Sequence, residues 1–183
     1  MIEITYPFLF LLITILWIGI RIAAAIRNRR VDWLYELKLL TVYICIVVIT
    51  RIVYFPWHLV DGHIGPLVFD PGRIFPLWIN AVPFVHLFDI YEGWQRNVFG
   101  NIAMFIPVGL AWPFCFKQLN TIGKVVLAGF GFSLLIELSQ LLFYERGSDI
   151  DDLITNTTGV LIGAVIYFAI AGIGRRLRSA RRK

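Results

Sequence analysis

The sequence has few charged residues, few cysteines and few histidines, and each shortage excludes a class of protein. Charged side chains make up 16% of the 183 residues, against about 25% in soluble domains. The two cysteines, Cys45 and Cys115, lie in apolar runs without C-x-x-C spacing, so we interpret them as packing residues. His58, His63 and His86 lack the spacing of metal ligands. We therefore expect no disulfide, no metal and no cofactor.

Long apolar runs take the place of the missing charge. The mean hydropathy is +0.76, and a helix of about 20 apolar residues is enough to cross a bilayer. Five such runs predict membrane-spanning helices at residues 4–26, 39–55, 98–116, 122–143 and 153–173. The predicted fold is an all-α membrane protein, a bundle of five transmembrane helices that forms one integral membrane domain over residues 1–183.

The basic residues predict how the chain is threaded through the membrane. "RNRR" follows the first apolar run and "RRLRSARRK" ends the chain, and cytoplasmic segments carry an excess of Lys and Arg. We expect the N-terminus outside and the C-terminus in the cytoplasm. Glu3 before the first run and basic residues after it reverse the order of a cleavable signal peptide.

The basic C-terminal tail at residues 174–183 leaves two interpretations open. It could bind anionic lipid headgroups, each cation contributing about 1 kcal/mol near the surface, or it could only fix the topology. Nucleic acid is not an expected partner, because no folded basic surface interleaved with aromatic residues accompanies these charges.

The segment from residue 55 to residue 97 is the one long connection. It is too rich in Pro and Gly for a single helix and too aromatic for a solvated linker. We expect a long outer loop whose aromatic rings lie at the level of the lipid headgroups.

Polar residues gather where the fourth run ends and the fifth begins. Glu137 and Gln140 are three residues apart and share one helical face. A carboxylate within the membrane costs at least about 2.5 kcal/mol on insertion scales, so Glu137 should face the bundle interior or water. Ser148 is a predicted N-cap of the fifth helix, and we interpret Asp151 as an ordinary acid of its first turn.

One face of the fifth helix carries both polar and very small residues. At 100° per residue Asp149, Asp152 and Asn156 align above Gly159 and Gly163. The two glycines form a small-xxx-small stripe that lets another helix approach closely. The polar face is therefore predicted to lie directly above a tight helix-packing face.

The third run supplies a further polar face. Asn97 and Asn101 are four residues apart at its start, and Pro107 is expected to kink the helix below them. Together these features predict an outward-facing polar pocket. Its predicted ligand-binding residues are Asn101, Glu137, Gln140, Arg146, Asp149, Asp152 and Asn156, with Arg96 and Asn97 at the rim and Gly159, Gly163 and Pro107 in helix packing.

Two other interpretations of these residues remain open. They could form a buried hydrogen-bond network that only ties helices together, with each contact contributing about 0.6 kcal/mol. They could also hold a metal ion, but a helix N-terminus already explains acids at Asp149 and Asp152.

The motifs resemble those of the VanZ-like family of bacterial membrane proteins. Its pattern is approximately N-x-x-x-F-x-P-x-G, then E-x-x-Q, then R-x-x-D-x-x-D-x-x-x-N-x-x-G-x-x-x-G, and "NAVPF" at residues 80–84 looks like its short preceding motif. The resemblance covers about residues 80–168. The matching positions are Asn101, Phe105, Pro107, Gly109, Glu137, Gln140, Arg146, Asp149, Asp152, Asn156, Gly159 and Gly163.

The family takes its name from an accessory determinant of resistance to teicoplanin, a lipoglycopeptide that acts outside the cytoplasmic membrane. The resemblance therefore implies a multi-pass protein of the bacterial cytoplasmic membrane with a role in the cell envelope. It brings no catalytic assignment with it.

We expect a non-enzymatic protein whose pocket binds a lipid headgroup or a cell-wall-related ligand at the outer face, and which could form an oligomer. The alternative is an intramembrane enzyme that modifies a lipid-linked envelope substrate with Glu137 as general acid or base. A transporter is the least favoured function, because the deep halves of the helices lack polar residues along a path.

Overall fold

The computed structural model describes residues 1–55, 59–60, 62–73, 75–84, 94–144 and 146–180. Its helices are α1 (Tyr6–Asn28), α2 (Trp33–Tyr54), α3 (Trp94–Cys115), α4 (Ile122–Gln140) and α5 (Ile150–Ala180). All five are long and apolar enough to cross a membrane, which confirms the predicted five-helix fold. Glu145, His58, His86, residues 85–93 of the predicted loop and residues 181–183 of the predicted tail lie outside the described residues.

Nine of the ten helix ends differ from the sequence prediction by one to seven residues, and three of these differences have a clear local reason. The first helix begins at Tyr6 rather than at residue 4, because residues before it pair as a strand and Pro7 favours the first helical turn. The second begins at Trp33 rather than at residue 39, because the Asp32 carboxylate accepts a 3.1 Å hydrogen bond from the Tyr35 amide and caps the helix. The fifth continues past residue 173 to Ala180, since Arg and Leu are good helix formers even where the apolar run has ended.

Short strands pair in segments that lie almost entirely outside the five predicted helices. They are β1 (Ile2–Ile4), β2 (Leu59–Val60), β3 (His63–Ile64), β4 (Leu67–Phe69), β5 (Ile79–Asn80) and β6 (Ser148–Asp149). The pairs β1–β4 and β2–β3 are antiparallel, whereas β5 and β6 are parallel. In the last pair Asn80 lies opposite Asp149, which places this strand pair directly before α5.

The chain divides into two compact units, of which the first comprises Met1–Trp78 and Ser139–Gly147. Here α1 and α2 are joined by a 2.7 Å hydrogen bond between the Thr14 and Tyr43 hydroxyls and by an aromatic contact of Trp17 with Tyr43. None of the residues of α1 is buried, so α1 is the most exposed of the described helices.

The second unit comprises Ile79–Leu138 and Ser148–Lys183 and has α3 and α5 in close contact. A Cβ atom added to Gly159 would lie 2.3 Å from the carbonyl oxygen of Ile102, and one added to Gly163 would lie 2.2 Å from that of Ile106. From the other helix, a Cβ on Gly109 would lie 2.2 Å from the carbonyl oxygen of Val160. Only glycine permits this backbone approach, so these three positions set the distance between α3 and α5.

Candidate functional site

The first turn of α5 is capped by Asp149 and not, as predicted, by Ser148. The Asp149 carboxylate accepts a 2.9 Å hydrogen bond from the Asp151 amide, in the manner of an N-cap side chain. Ser148 instead belongs to β6, where it lies opposite Ile79. The prediction was wrong by one residue because the β5–β6 pairing keeps Ser148 extended and delays the helix start.

Asp149 also joins the start of α5 to α4 and to β5. Its backbone amide donates a 2.9 Å hydrogen bond to Glu137 Oε2, and its carboxylate accepts a 3.2 Å bond from Asn80 Nδ2. Glu137 is only 2% exposed. A carboxylate at such a position needs hydrogen-bond donors, and the Asp149 amide supplies one of them.

Asp152 is held from the neighbouring helix. Asn101 on α3 donates a 2.7 Å hydrogen bond from Nδ2 to Asp152 Oδ1. This distance is typical of a charge-assisted bond. Asn101 directly precedes Ile102 on α3, and Asp152 lies about two turns before Gly159 on α5. The polar contact and the contact of Gly159 with Ile102 therefore join the same pair of helices.

Asn156 lies one turn further along α5 and bonds to α4. Its Nδ2 donates a 3.0 Å hydrogen bond to the Ser133 hydroxyl, and both residues are buried. The side-chain oxygen of Asn156 is also buried and has no hydrogen-bond partner within the described part of the chain. A buried carbonyl oxygen without a donor is unfavourable by about 1–3 kcal/mol. The side-chain oxygen of Gln140 is a second buried acceptor of this kind among the described residues.

These contacts define one group of side chains, which we name the polar cluster. Three elements of the second unit supply its members: α3, α4 and the start of α5. The members are Asn101, Ser133, Glu137, Asp149, Asp152 and Asn156, and Asn80 contacts it from β5. Five of these six members belong to the ligand-binding set that the sequence predicts.

Two predicted ligand-binding residues belong to the first unit. Gln140 Nε2 donates a 3.5 Å hydrogen bond to the carbonyl oxygen of Val53, and Arg146 Nη2 donates a 3.0 Å bond to that of Tyr54. Tyr54 is the last residue of α2, so the cation of Arg146 lies where the helix dipole is negative. Both residues therefore have structural contacts at the C-terminal end of α2, and their role in ligand binding stays a prediction.

The remaining predicted positions are also accounted for in the structure. Arg96 and Asn97 are exposed in the first turn of α3. Pro107 lies inside α3, which continues through it to Cys115. Asp151 accepts a 2.9 Å hydrogen bond from the Phe84 amide, which is a contact with the segment after β5.

Sequence reasoning missed Ser133 and Asn80 as partners of the predicted residues. Ser133 was predictable from its spacing, since it lies four residues before Glu137 and therefore on the same face of α4. Asn80 was harder to predict, and only its place in the "NAVPF" segment indicated a role. The strand pair that brings it to Asp149 joins residues far apart in sequence.

The chemistry of the polar cluster is that of hydrogen-bond acceptors. It holds the carboxylates of Glu137, Asp149 and Asp152, together with the unpaired oxygen of Asn156. Across the described residues, no three His, Cys, Asp or Glu side chains form a group suited to a metal ion. The cluster therefore suits a ligand that donates hydrogen bonds, such as an ammonium, amide or hydroxyl group.

Five helices of membrane length define a multi-pass α-helical membrane protein. A family model described as VanZ/LLP1 matches residues 39–171, so the chain belongs to the VanZ/LLP1 family, and the predicted family is confirmed. Protein VanZ of Enterococcus faecium is 35% identical over 89 residues, which are 49% of this chain and 52% of that protein. The chain thus spans about half the length of this relative. No solved structure matches the chain.

Proposed function

We propose that this VanZ/LLP1 family protein binds a hydrogen-bond-donating ligand of the cell envelope in the polar cluster. The ligand class is a lipid headgroup or a cell-wall-related molecule that reaches the cluster from the outer face of the cytoplasmic membrane. Through this binding the protein modulates the envelope and lowers susceptibility to lipoglycopeptides of the teicoplanin type. No covalent chemistry is part of this function.

The observation that carries the proposal is the unpaired side-chain oxygen of Asn156. Asn156 is 2% exposed, and its amide nitrogen is fixed by Ser133, so the oxygen has one defined direction. A network that served only to hold helices together would give each buried acceptor a donor. The loss of stability from a buried acceptor without a donor is larger than the gain from a typical hydrogen bond. A ligand N–H or O–H group supplies the donor that the described protein does not.

The charge of the polar cluster supports the same ligand class. Among the described residues, the ion pair between Arg21 and Glu36 lies in the first unit, and none of the three carboxylates of the cluster forms a salt bridge. Their hydrogen-bond donors include two backbone amides and the side chains of Asn80, Asn101 and Ser148. The cluster therefore offers carboxyl oxygens without a cationic partner among the described residues, which favours a ligand with an amine or several hydroxyl groups.

A change in teicoplanin susceptibility tests this function in cells. The chain is expressed in a susceptible bacterium, and the minimal inhibitory concentration is measured for teicoplanin and for a glycopeptide without an acyl chain. We expect wild type to raise the teicoplanin value severalfold, and Asp152→Asn and Asn156→Ala to abolish the rise. Asp151→Asn is the matched control, because Asp151 is in the same helical turn but contacts Phe84. Equal resistance of all variants at equal membrane abundance would contradict the proposal.

A second function, an intramembrane enzyme, is favoured by one specific observation. Glu137 and Ser133 are both buried on one face of α4, which places a carboxyl group near a hydroxyl group. Ser133 accepts a bond from Asn156 and has no histidine partner among the described residues. Comparing the lipids of cells with wild type and with Glu137→Gln decides between the two functions, since a lipid species that depends on Glu137 would indicate catalysis.

A further inference from the structure

A cavity of about 630 Å³ lies in the first unit, where α1 ends and α2 begins. This volume is in the range of small-molecule sites, about 300–1,000 Å³. Its polar lining comes from the last two turns of α1, the connection and the first turn of α2. The lining side chains that bear on the inference are Arg21, Asn28, Arg30, Asp32, Tyr35 and Glu36.

Arg21 and Glu36 line this cavity as an ion pair. The Nε and Nη2 atoms of Arg21 donate hydrogen bonds of 2.8 and 2.5 Å to the two carboxylate oxygens of Glu36. The guanidinium carbon also lies 5.9 Å from the centre of the Tyr35 ring. A guanidinium has five N–H groups, so Arg21 can donate to a ligand while the ion pair with Glu36 stays intact.

The charges of the lining are balanced and of both signs. Arg21 and Arg30 are cations, whereas Asp32 and Glu36 are carboxylates. Asp32 uses one oxygen to cap α2 through the Tyr35 amide, which leaves its other oxygen as an acceptor. A lining with both cationic and anionic groups matches a ligand that carries both signs, because a simple anion or cation would meet repulsion from half of it.

Exposed apolar side chains flank the cavity along both helices. Ile22 is 54% exposed, Ile26 is 73% exposed and Leu37 is 64% exposed. Both helices are of membrane length, and the cavity lies at their joined ends. A lipid whose headgroup enters the cavity can therefore lay its acyl chains against this apolar surface.

We propose that this cavity binds the headgroup of a phosphoethanolamine lipid. Arg21 and Arg30 contact the phosphate, and Asp32 and Glu36 accept hydrogen bonds from the primary ammonium group. A choline headgroup does not fit equally well, because its quaternary ammonium has no N–H to donate and Tyr35 is the single aromatic ring of the lining. None of the residues that line this cavity belongs to the polar cluster, and the inference does not rest on the function proposed for that cluster.

Native mass spectrometry of the full chain in detergent tests the site with defined lipids. The protein is mixed with phosphatidylethanolamine, phosphatidylcholine and phosphatidylglycerol of identical acyl chains, and the bound fraction of each is measured. We expect phosphatidylethanolamine to bind best. Arg30→Ala should weaken its binding about fivefold through loss of one charge-assisted contact. Asp32→Asn keeps the helix cap but should shift the preference towards the anionic phosphatidylglycerol.

Arg27→Ala is the matched control, since Arg27 is a basic residue at the same helix end but does not line the cavity. Its binding should equal that of wild type, and all variants are compared by thermal unfolding to establish that they are folded. Equal weakening by Arg27→Ala would reduce the effect to general surface charge and overturn the site. Equal binding of phosphatidylcholine would overturn the role of the ammonium, and displacement by equimolar soluble glycerophosphoethanolamine would overturn the assignment to a lipid.

Discussion

Asn101 on α3 donates a 2.7 Å hydrogen bond to Asp152 on α5. The glycine contacts of Gly159 and Gly163 lie further along the same face of α5 and bring the two helix backbones together. This arrangement explains why the polar residues and then the glycines recur along α5 with helical spacing. The glycines set the distance between the two helix backbones, and the hydrogen bond spans that distance. The close packing of α3 and α5 is thus the structural basis of the polar cluster.

A methyl group at Gly159 should destabilise the protein. A Cβ there would lie 2.3 Å from the Ile102 carbonyl oxygen. The helix backbone cannot move aside to relieve this overlap as a flexible side chain can. We expect Gly159→Ala to lower the free energy of unfolding by about 1–3 kcal/mol, measured as a fall in melting temperature in detergent.

The matched control for this substitution is Gly172→Ala on the same helix. Nothing lies within 4 Å of a Cβ at Gly172, and alanine is the better helix former by about 1 kcal/mol. Gly172→Ala should therefore leave the melting temperature unchanged or raise it. A similar loss in both variants would show that the α3–α5 contact is not the cause.

The bond between Asn101 and Asp152 should appear as a coupling energy. We expect the double-mutant cycle of Asn101→Ala and Asp152→Ala to give about 1–2 kcal/mol, above the average of about 0.6 kcal/mol for intramembrane contacts, because the acceptor is a carboxylate. The measurement is the unfolding of the four proteins under one set of detergent conditions. Additive single effects would show that the two side chains do not stabilise each other.

Asp149 should act as the helix cap that Ser148 was predicted to be. Removing an N-cap side chain typically costs about 1 kcal/mol, and Asp149→Ala also removes the acceptor of the Asn80 bond. We expect Asp149→Ala to lower the melting temperature and Asp149→Asn to retain most of the stability, since asparagine caps equally well. A larger loss in Asp149→Asn than in Asp149→Ala would contradict this role.

Helical periodicity predicted much of this structure, because it reports which residues share a face. It placed Asp152, Asn156, Gly159 and Gly163 in line, and the structure gives each of them a partner on a neighbouring helix. The length of the five apolar runs predicted the helices themselves, and each run corresponds to one of the observed helices.

Contacts between distant segments were not predictable in the same way. Asn80 reaches Asp149 through a parallel pair of two-residue strands, and such short strands have no periodic pattern. The same pairing moved the cap of α5 from Ser148 to Asp149. Arg146 is among the predicted ligand-binding residues, and one of its observed partners is the backbone carbonyl of Tyr54 at the end of α2. No sequence pattern indicates such a contact.

The predicted threading, with the N-terminus outside and the C-terminus in the cytoplasm, is open to a direct test. In a variant with Cys45 and Cys115 replaced by alanine, single cysteines are placed at Glu3 and Ser179. A membrane-impermeant maleimide should label the cysteine at position 3 in intact cells and the cysteine at position 179 only after permeabilisation, as expected from the excess of basic residues near the C-terminus. The reverse pattern would show the opposite orientation.

The most direct measurement of the central claim is native mass spectrometry of the protein purified gently from its host membrane. We predict a bound envelope molecule that is retained by wild type and by Asp151→Asn, and that is lost in Asp152→Asn and in Asn156→Ala. Arg30→Ala distinguishes this ligand from a lipid bound in the cavity between α1 and α2. It should weaken binding of the lipid and leave the ligand of the polar cluster in place. Retention of every bound molecule by folded Asp152→Asn and Asn156→Ala would contradict the account and reduce the cluster to a contact between helices.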